Sequence, residues 1–366
     1  MTKCKTRVLK VQGYEEYGFP KSHPFKKERP QALFELTRRT QLNESFLEVE
    51  VAEEASEEAL TLYHAPEYLR FVRFMSDRGE GHLDYGDTPA YPKCYEINSR
   101  VVNASIIAAS LALSGEHGAN FYGGMHHARA DRASGFCIFN DATIALRWLL
   151  NAGARKIAYI DIDAHHGDGV MYAFYSEPRV LHIDFHEDGR TLFPGTGFVN
   201  ETGEGEAEGT KVNIALPPGA SDPDYRYAYD ELVHPLLENF SPDIIVLQAG
   251  VDAHQGDPLT HLLLRDAGYS ELYTRIHSDS HKFAQGKLCV LGGGGYNVCN
   301  VIRCWALLIC ELIGHDPPDN LVAEASQIAF EVAGSEPDCS GIEPSRSAVL
   351  AGTEATVAAL RKRVNI

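Results

Sequence analysis

Residues 159–169, YIDIDAHHGDG, carry three aspartates and two histidines at the end of the apolar run KIAYI. That run reads as a buried strand, so Asp161, Asp163, His165, His166 and Asp168 cannot all be solvated surface. Buried carboxylates are costly unless something pairs with them. The available partners are a metal ion, a charged side chain or imidazole N–H groups. Residues two apart on a strand share a face, so Asp161 and Asp163 can point the same way while His165 turns in from the loop. A second stretch, DIIVLQAGVDAHQGDP (243–258), repeats the design and places Asp252 just past an apolar run. Asp163, His165 and Asp252 together would neutralise a divalent ion and leave coordination positions open. Such a set is catalytic rather than structural. Taken alone, the cluster is also compatible with an Asp/His hydrogen-bond network that fixes loops.

Two further stretches add proton carriers. NFYGGMHHARADRASGFCIFND (120–141) holds His126 and His127 in tandem behind Gly-Gly. Asp161 and Asp168, left over from the metal set, suit the second role: a carboxylate behind an imidazole orients it and raises its basicity. LGGGGYNVCN (291–300) ends another apolar run. Its glycines permit close backbone approach and place Tyr296, whose phenol beside a Lewis acid can stabilise an oxyanion. They do not form G-x-G-x-x-G, because Asn297 occupies the sixth position. The chain has no G-x-S-x-G, P-loop or H-E-x-x-H motif.

The elements that must position these residues alternate. β-branched-rich runs recur at RVLKV, ANFYGG, KIAYIDID, RVLHIDF, KVNIAL, DIIVLQAG and KLCVLGGGG. Between many of them lie stretches of helical length, such as 66–79, entered at Pro66 and left at Gly79, and 95–115, 140–153, 222–240 and 300–314. Strand–helix alternation predicts a parallel sheet covered on both faces, with ligands collecting outside the carboxyl ends of the strands. The acidic, glycine-rich VNETGEGEAEGT (199–210) reads as a solvated loop. Beyond Gly314 the pattern weakens, which predicts one catalytic domain over 1–315 and a partly helical extension over 316–366.

Composition bounds the partners. The 366 residues are 44% hydrophobic and 23% charged, and their longest apolar stretches are too short to span a bilayer. The start, MTKCKTRVLK, shows no apolar export signal, and the eight cysteines contain no C-x-x-C pair. Both fit a reducing, cytoplasmic setting. A net charge of −18 disfavours nucleic acid and anionic membranes and is compatible with basic partners. The sequence does not set the oligomeric state.

GGMHHARADRASGFCIFND, DIDAHHGDGV, FPGTG, QAGVDAHQGDP and GGGGYN, in this order, resemble the zinc-dependent histone deacetylase family. The likeness includes its prokaryotic acetoin-utilisation-type and acetylpolyamine amidohydrolase members. It runs from about Val8 to Gly314, and GFPKSHPFKKERP resembles the family's opening segment. The implied fold is the arginase/deacetylase type, a single three-layer α/β/α domain around a parallel sheet of eight strands.

The resemblance implies roles residue by residue. Asp163, His165 and Asp252 match the zinc ligands. His127 matches the general base and acid, His126 its electrostatic neighbour, and Asp168 and Asp161 their carboxylate partners. Tyr296 matches the tyrosine that polarises the carbonyl. Phe136 and Phe193 match the walls of the acyl-lysine tunnel, and Gly135 the carbonyl that accepts the scissile N–H. Leu259 and Asp87 match rim positions, and Arg29 an arginine near an internal channel. A monovalent cation such as K+ is implied near Asp161, Asp163 and His165. There Asp184 stands where many members carry serine.

The implied reaction is hydrolysis of an acetyl-lysine amide in a protein or peptide, releasing acetate. Small acetylated amines are the alternative substrates, with a non-catalytic acyl-lysine-binding module as a further reading. A two-manganese, arginase-type hydrolase would need a carboxylate at position 167, where Gly167 stands.

Overall fold

The computed structural model describes residues 5–333 and 346–364. Eight parallel strands form one sheet: β1 (Thr6–Val11), β2 (Leu47–Val51), β3 (His117–Asn120), β4 (Ile157–Asp161), β5 (Val180–Glu187), β6 (Lys211–Leu216), β7 (Ile244–Gln248) and β8 (Leu288–Leu291). Their order is β2-β1-β3-β8-β7-β4-β5-β6. The four inner strands β3, β8, β7 and β4 end side by side, with Asn120 opposite Leu291, Leu291 opposite Gln248 and Gln248 opposite Asp161. Both faces are covered by helices, and Ile160, Leu247 and Val290 are fully buried. This is the three-layer architecture that the alternation and the resemblance imply.

The helices end where their punctuation directs. Pro66–Arg78 stops at Gly79, which takes the left-handed conformation at φ 74°. Asp141–Asn151 starts at Asn140, whose side chain accepts the Thr143 N–H. The stretch 222–240 is continuous but not uniform. A π turn over Tyr229–Val233 joins the α segments Asp222–Ala228 and His234–Phe240, just ahead of Pro235, whose missing N–H a widened turn accommodates.

The periodicity of the sequence misses several elements, among them one strand and two long helices. β2 (LEVEV) alternates glutamate with apolar residues because it is an edge strand, largely exposed except at Val51. The helices Arg29–Arg39 and Asp266–Phe283 were not anticipated; the second is rich in polar residues. β3 also begins earlier than expected, at His117, and is buried along its whole length.

In the C-terminal stretch, Leu321–Ala333 packs on the helices Arg29–Arg39 and Val298–Ile313. Arg346–Val364 packs on β6 and Asp222–Ala228. Most of the irregular segment expected between these two helices lies outside the described residues. The 199–210 loop contains one short turn, Gly205–Ala207, and is tucked in at Thr202 and Ala207.

Candidate active site

The carboxyl ends of β3, β4, β7 and β8 deliver the chemistry. Asp163, His165 and Asp252 are buried, and one ligand atom from each lies within 4.8 Å of the others. His165 Nδ1 sits 2.9 Å from Asp252 Oδ2 and 3.3 Å from Asp163 Oδ1. Backbone donors fix both carboxylates: Gly294 N–H reaches Asp163 Oδ2 at 2.7 Å, and Ala164 N–H reaches Asp252 Oδ1 at 2.7 Å. Burial, reinforced by the Asp163 charge, pushes Asp252 up to about 6. Two carboxylates and one imidazole crowded together in a buried site are stabilised by a divalent cation. This donor set therefore fits the zinc implied by the sequence. His166, the fifth residue of the opening cluster, instead meets Thr196 Oγ1 at 2.9 Å and the Met171 sulfur at 3.3 Å.

The tandem histidines form a relay beside this trio. His126 Nδ1 lies 2.9 Å from Asp161 Oδ2, His126 Nε2 lies 3.1 Å from His127 Nε2, and His127 Nδ1 lies 2.8 Å from Asp168 Oδ1. Burial disfavours charge on His126, but Asp161 and Asp163 outweigh it and raise the ring to about 10. Burial and then the His126 charge lower His127 to about 4. A charged His126 therefore donates its Nε2 proton toward a neutral His127, whose own Nδ1–H is held by Asp168. His127 is left unprotonated at Nε2, and the single lone pair that faces the His126 N–H is the one a base would use.

Tyr296 and two phenylalanines close the site. The Tyr296 ring packs edge-on 6.3 Å from His165 and 5.9 Å from Phe136, and Phe193 packs 5.1 Å from His127. A narrow pocket is lined by His126, His127, Gly135, Phe136, Asp163 and Tyr296, among others. Gly135 has φ 54°, and a Cβ there would lie 2.5 Å from His127 Cδ2. Only glycine fits between His127 and Phe193. Phe193 and Leu259, which the resemblance assigns to the tunnel wall and the rim, are exposed. Asp87 is also exposed, and its neighbour Thr88 accepts the Phe136 N–H through Oγ1 at 3.2 Å.

Arg29 is buried and donates through Nη1 to the carbonyls of Gly293 and Gly295, both at 2.9 Å. It thus anchors the glycine run that carries Tyr296. Asp184 does not stand as an uncompensated charge. His186 Nδ1 meets its Oδ1 at 2.6 Å, and the Gly167 N–H donates to its Oδ2 at 2.8 Å. A Cβ at Gly167 would meet Asp161 Oδ2 at 2.6 Å, so the position that an arginase-type second metal needs has no room for a carboxylate.

Sequence reasoning missed several supporting residues. Gln248 ends β7, and its Nε2 donates to Asp163 Oδ2 at 3.1 Å and to the Gly124 carbonyl at 3.2 Å. Asp257 accepts the N–H groups of Tyr296 at 2.8 Å and Leu259 at 3.0 Å, linking the loop that carries Tyr296 to Leu259. Asp141 accepts the N–H groups of Gly124 and Met125, just before the tandem histidines. Arg129 reaches Asp168 Oδ2 at 2.5 Å. Asp257 and Arg129 lie inside the quoted motifs, where a charged residue with no assigned role was the available signal.

Comparison with known proteins agrees with this geometry. A family model described as "Histone deacetylase domain" matches residues 23–312. The acetoin utilization protein AcuC of Bacillus subtilis is 36% identical over 321 residues, 85% of this chain and 83% of that protein. The AcuC protein of Staphylococcus xylosus is 33% identical over 320 residues, 84% of this chain and 83% of that one. Among solved structures, a histone deacetylase homolog from Aquifex aeolicus superposes with a TM-score of 0.84 at 27% identity, covering 98% of this chain and 100% of that one. The HDA15 HD domain gives a TM-score of 0.79 at 26% identity, covering 97% and 99%. With most of its length matched by the family model and by AcuC relatives, the chain belongs to the histone deacetylase family and is a hydrolase of the deacetylase class.

Proposed function

We propose that this chain is a zinc-dependent amidohydrolase that removes acetyl groups from Nε-acetyl-lysine in proteins or peptides and releases acetate. The observation that carries the reading is the Asp163–His165–Asp252 trio, which through Asp163 reaches the pocket that His127 and Tyr296 line. When bound, zinc would supply a Lewis acid for the acetyl carbonyl and would make a water easier to deprotonate.

The chain's own residues supply the rest. Phe136 and Phe193 exclude water from an uncharged lysine stem. His127 Nε2 takes the proton of the attacking water and later returns one to the leaving amine. Asp168 and Arg129 hold that ring in its working tautomer. His126, kept charged by Asp161, adds positive potential where negative charge develops. The Tyr296 hydroxyl donates to the oxyanion. The Gly135 carbonyl accepts the scissile N–H. K+ near Asp161 and a cytoplasmic location belong to the same reading. No helix among the described residues is long and apolar enough to cross a membrane.

Leu259 supports a peptide over a polyamine. The Leu259 side chain itself offers nothing to a second ammonium group, and Asp87 can accept backbone N–H groups. The test is kcat/KM for acetyl-lysine peptides, N-acetylated spermidine and putrescine, and longer acyl-lysines at physiological ionic strength. Acetyl-lysine peptides are expected to lead. A preference for acetylpolyamines would assign the enzyme to small amines instead, and no turnover of any substrate would leave an acyl-lysine-binding module.

A further inference from the structure

At the end of the sheet opposite the active site, three more histidines converge. His117 opens β3, and His277 and His281 lie one turn apart near the end of the helix Asp266–Phe283. His277 Nε2 is 3.1 Å from His117 Nε2 and 3.1 Å from His281 Nε2. Behind it, His277 Nδ1 is 2.8 Å from Glu311 Oε1, and Glu311 is itself held by the Thr274 hydroxyl at 2.7 Å. His117 is fully buried, and its Nδ1 has no hydrogen-bond partner. The cluster is therefore this ring's side-chain polar contact.

Proton counting shows what the cluster lacks. With its Nδ1–H given to Glu311, a neutral His277 offers one lone pair at Nε2. Two rings at equal distance cannot both donate well to that lone pair. Were His277 charged, its one Nε2–H would face two acceptors. Either way one of the two close contacts is poorly satisfied, in a place where burial makes this costly. A cation among the three Nε2 atoms takes all three lone pairs at once. At zinc–imidazole bond lengths of about 2.0–2.1 Å, tetrahedral ligand nitrogens lie roughly 3.3–3.4 Å apart, close to the spacing seen here. A carboxylate behind a ligating histidine is the usual support of such a ring.

A third grouping, His254, Asp266 and Cys304, also has metal-ligating types. There the Arg303 guanidinium already occupies Asp266, with Nε 2.6 Å from Oδ2. Among the described residues, no guanidinium or ammonium group is bonded to the three-histidine cluster.

We propose that His117, His277 and His281 form a second metal site, for a divalent first-row transition ion of the zinc type. Glu311 orients His277, and the partly exposed His281 is the side from which the ion and a completing water enter. The site has a structural role. It ties the first residue of β3 to the end of one helix and, through Glu311, to the helix Val298–Ile313, which begins two residues after Tyr296.

The test is metal content of the intact protein after equilibration with buffered zinc and removal of free ion. Wild type is expected to hold two ions and His281→Ala one, with kcat/KM unchanged. His165→Ala is expected to retain one ion, and the double variant none. Cobalt(II) bound to His165→Ala should give the visible absorption of a tetrahedral nitrogen–oxygen site, lost on adding His281→Ala. Zinc should raise the Tm of His165→Ala but not of the double variant. If His281→Ala keeps every ion that wild type holds, or His165→Ala binds none and shows no cobalt band, the cluster is a hydrogen-bond network and the proposal is wrong. One ion in wild type and none in His281→Ala would support this site while removing zinc from the active-site reading.

Discussion

Arg129 grips the oxygen of Asp168 that His127 leaves free: Nη2 lies 2.5 Å from Oδ2, while His127 Nδ1 lies 2.8 Å from Oδ1. The carboxylate is thus held from both sides. The His127 imidazole and the guanidinium outweigh burial and keep Asp168 below the usual carboxylate range. Asp168→Asn, which disturbs the tautomer of His127, should lower kcat by up to about 10⁴-fold. Arg129→Met, which only loosens the carboxylate, should cost roughly 10–100-fold. Both should retain metal by elemental analysis. Equal, small losses in the two variants would mean that His127 does not depend on Asp168.

The trio at the strand ends has no spare ligand. In a His281→Ala background, which removes any ion from the distal cluster, Asp163→Asn or His165→Ala should lose bound zinc and activity together. Stoichiometric zinc in those double variants would overturn the ligand assignment.

Tyr296 separates chemistry from binding. Tyr296→Phe should keep zinc and still bind a hydroxamate inhibitor while losing kcat by roughly 10²–10³-fold, the cost of one oxyanion donor. A near-normal kcat would place oxyanion stabilisation elsewhere.

Leu259 hangs by its N–H from Asp257, which also holds Tyr296, so its side chain can change with little disturbance to that loop. Leu259→Glu should raise kcat/KM for N-acetylspermidine relative to an acetyl-lysine peptide. An unchanged ratio would show that this rim position does not read the distal charge.

His64 gives the fold a pH dependence. It is buried, its Nε2 accepts the Asn140 N–H at 2.9 Å, and burial lowers it from 6.5 to about 4. Between those values the unfolded chain takes up a proton that the native state refuses. Stability is therefore fully present above pH 6.5 and falls as pH drops toward 4, by up to about 3 kcal/mol. Urea midpoints at pH 7 and pH 5 should differ less in His64→Gln than in wild type. The same gap in both would exclude His64 as the titrating group.

How much of this was legible depended on where each residue sits. Asp163, His165 and Asp252 could be read because acids directly follow apolar runs, a pattern that burial makes costly without a partner. Gln248 could not, because at the end of DIIVLQ it reads as the polar terminus of a strand. The helix Asp266–Phe283 escaped because its polar residues blur the apolar stripe, and with it went His277 and His281. HGAN has no β-branched residue, so β3 was placed too late and His117 was left outside it. In each case position in the sheet, rather than local composition, dictates burial.

The last strand of the sheet has a neighbour that is not a strand. β6 is buried throughout, yet on its outer side it meets the helix Arg346–Val364, whose Thr356 hydroxyl donates to the Ala215 carbonyl at 3.0 Å. At the other border β2 is exposed but carries Glu48 and Glu50, both paired with Lys10 of β1. One border is guarded by charge and the other by a lid of chain. Charge alone suffices to repel a foreign strand, whereas an uncovered apolar border is a template for one. Removing the final helix should therefore make the enzyme self-associate through β6, visible as light scattering that grows with protein concentration before any activity is lost.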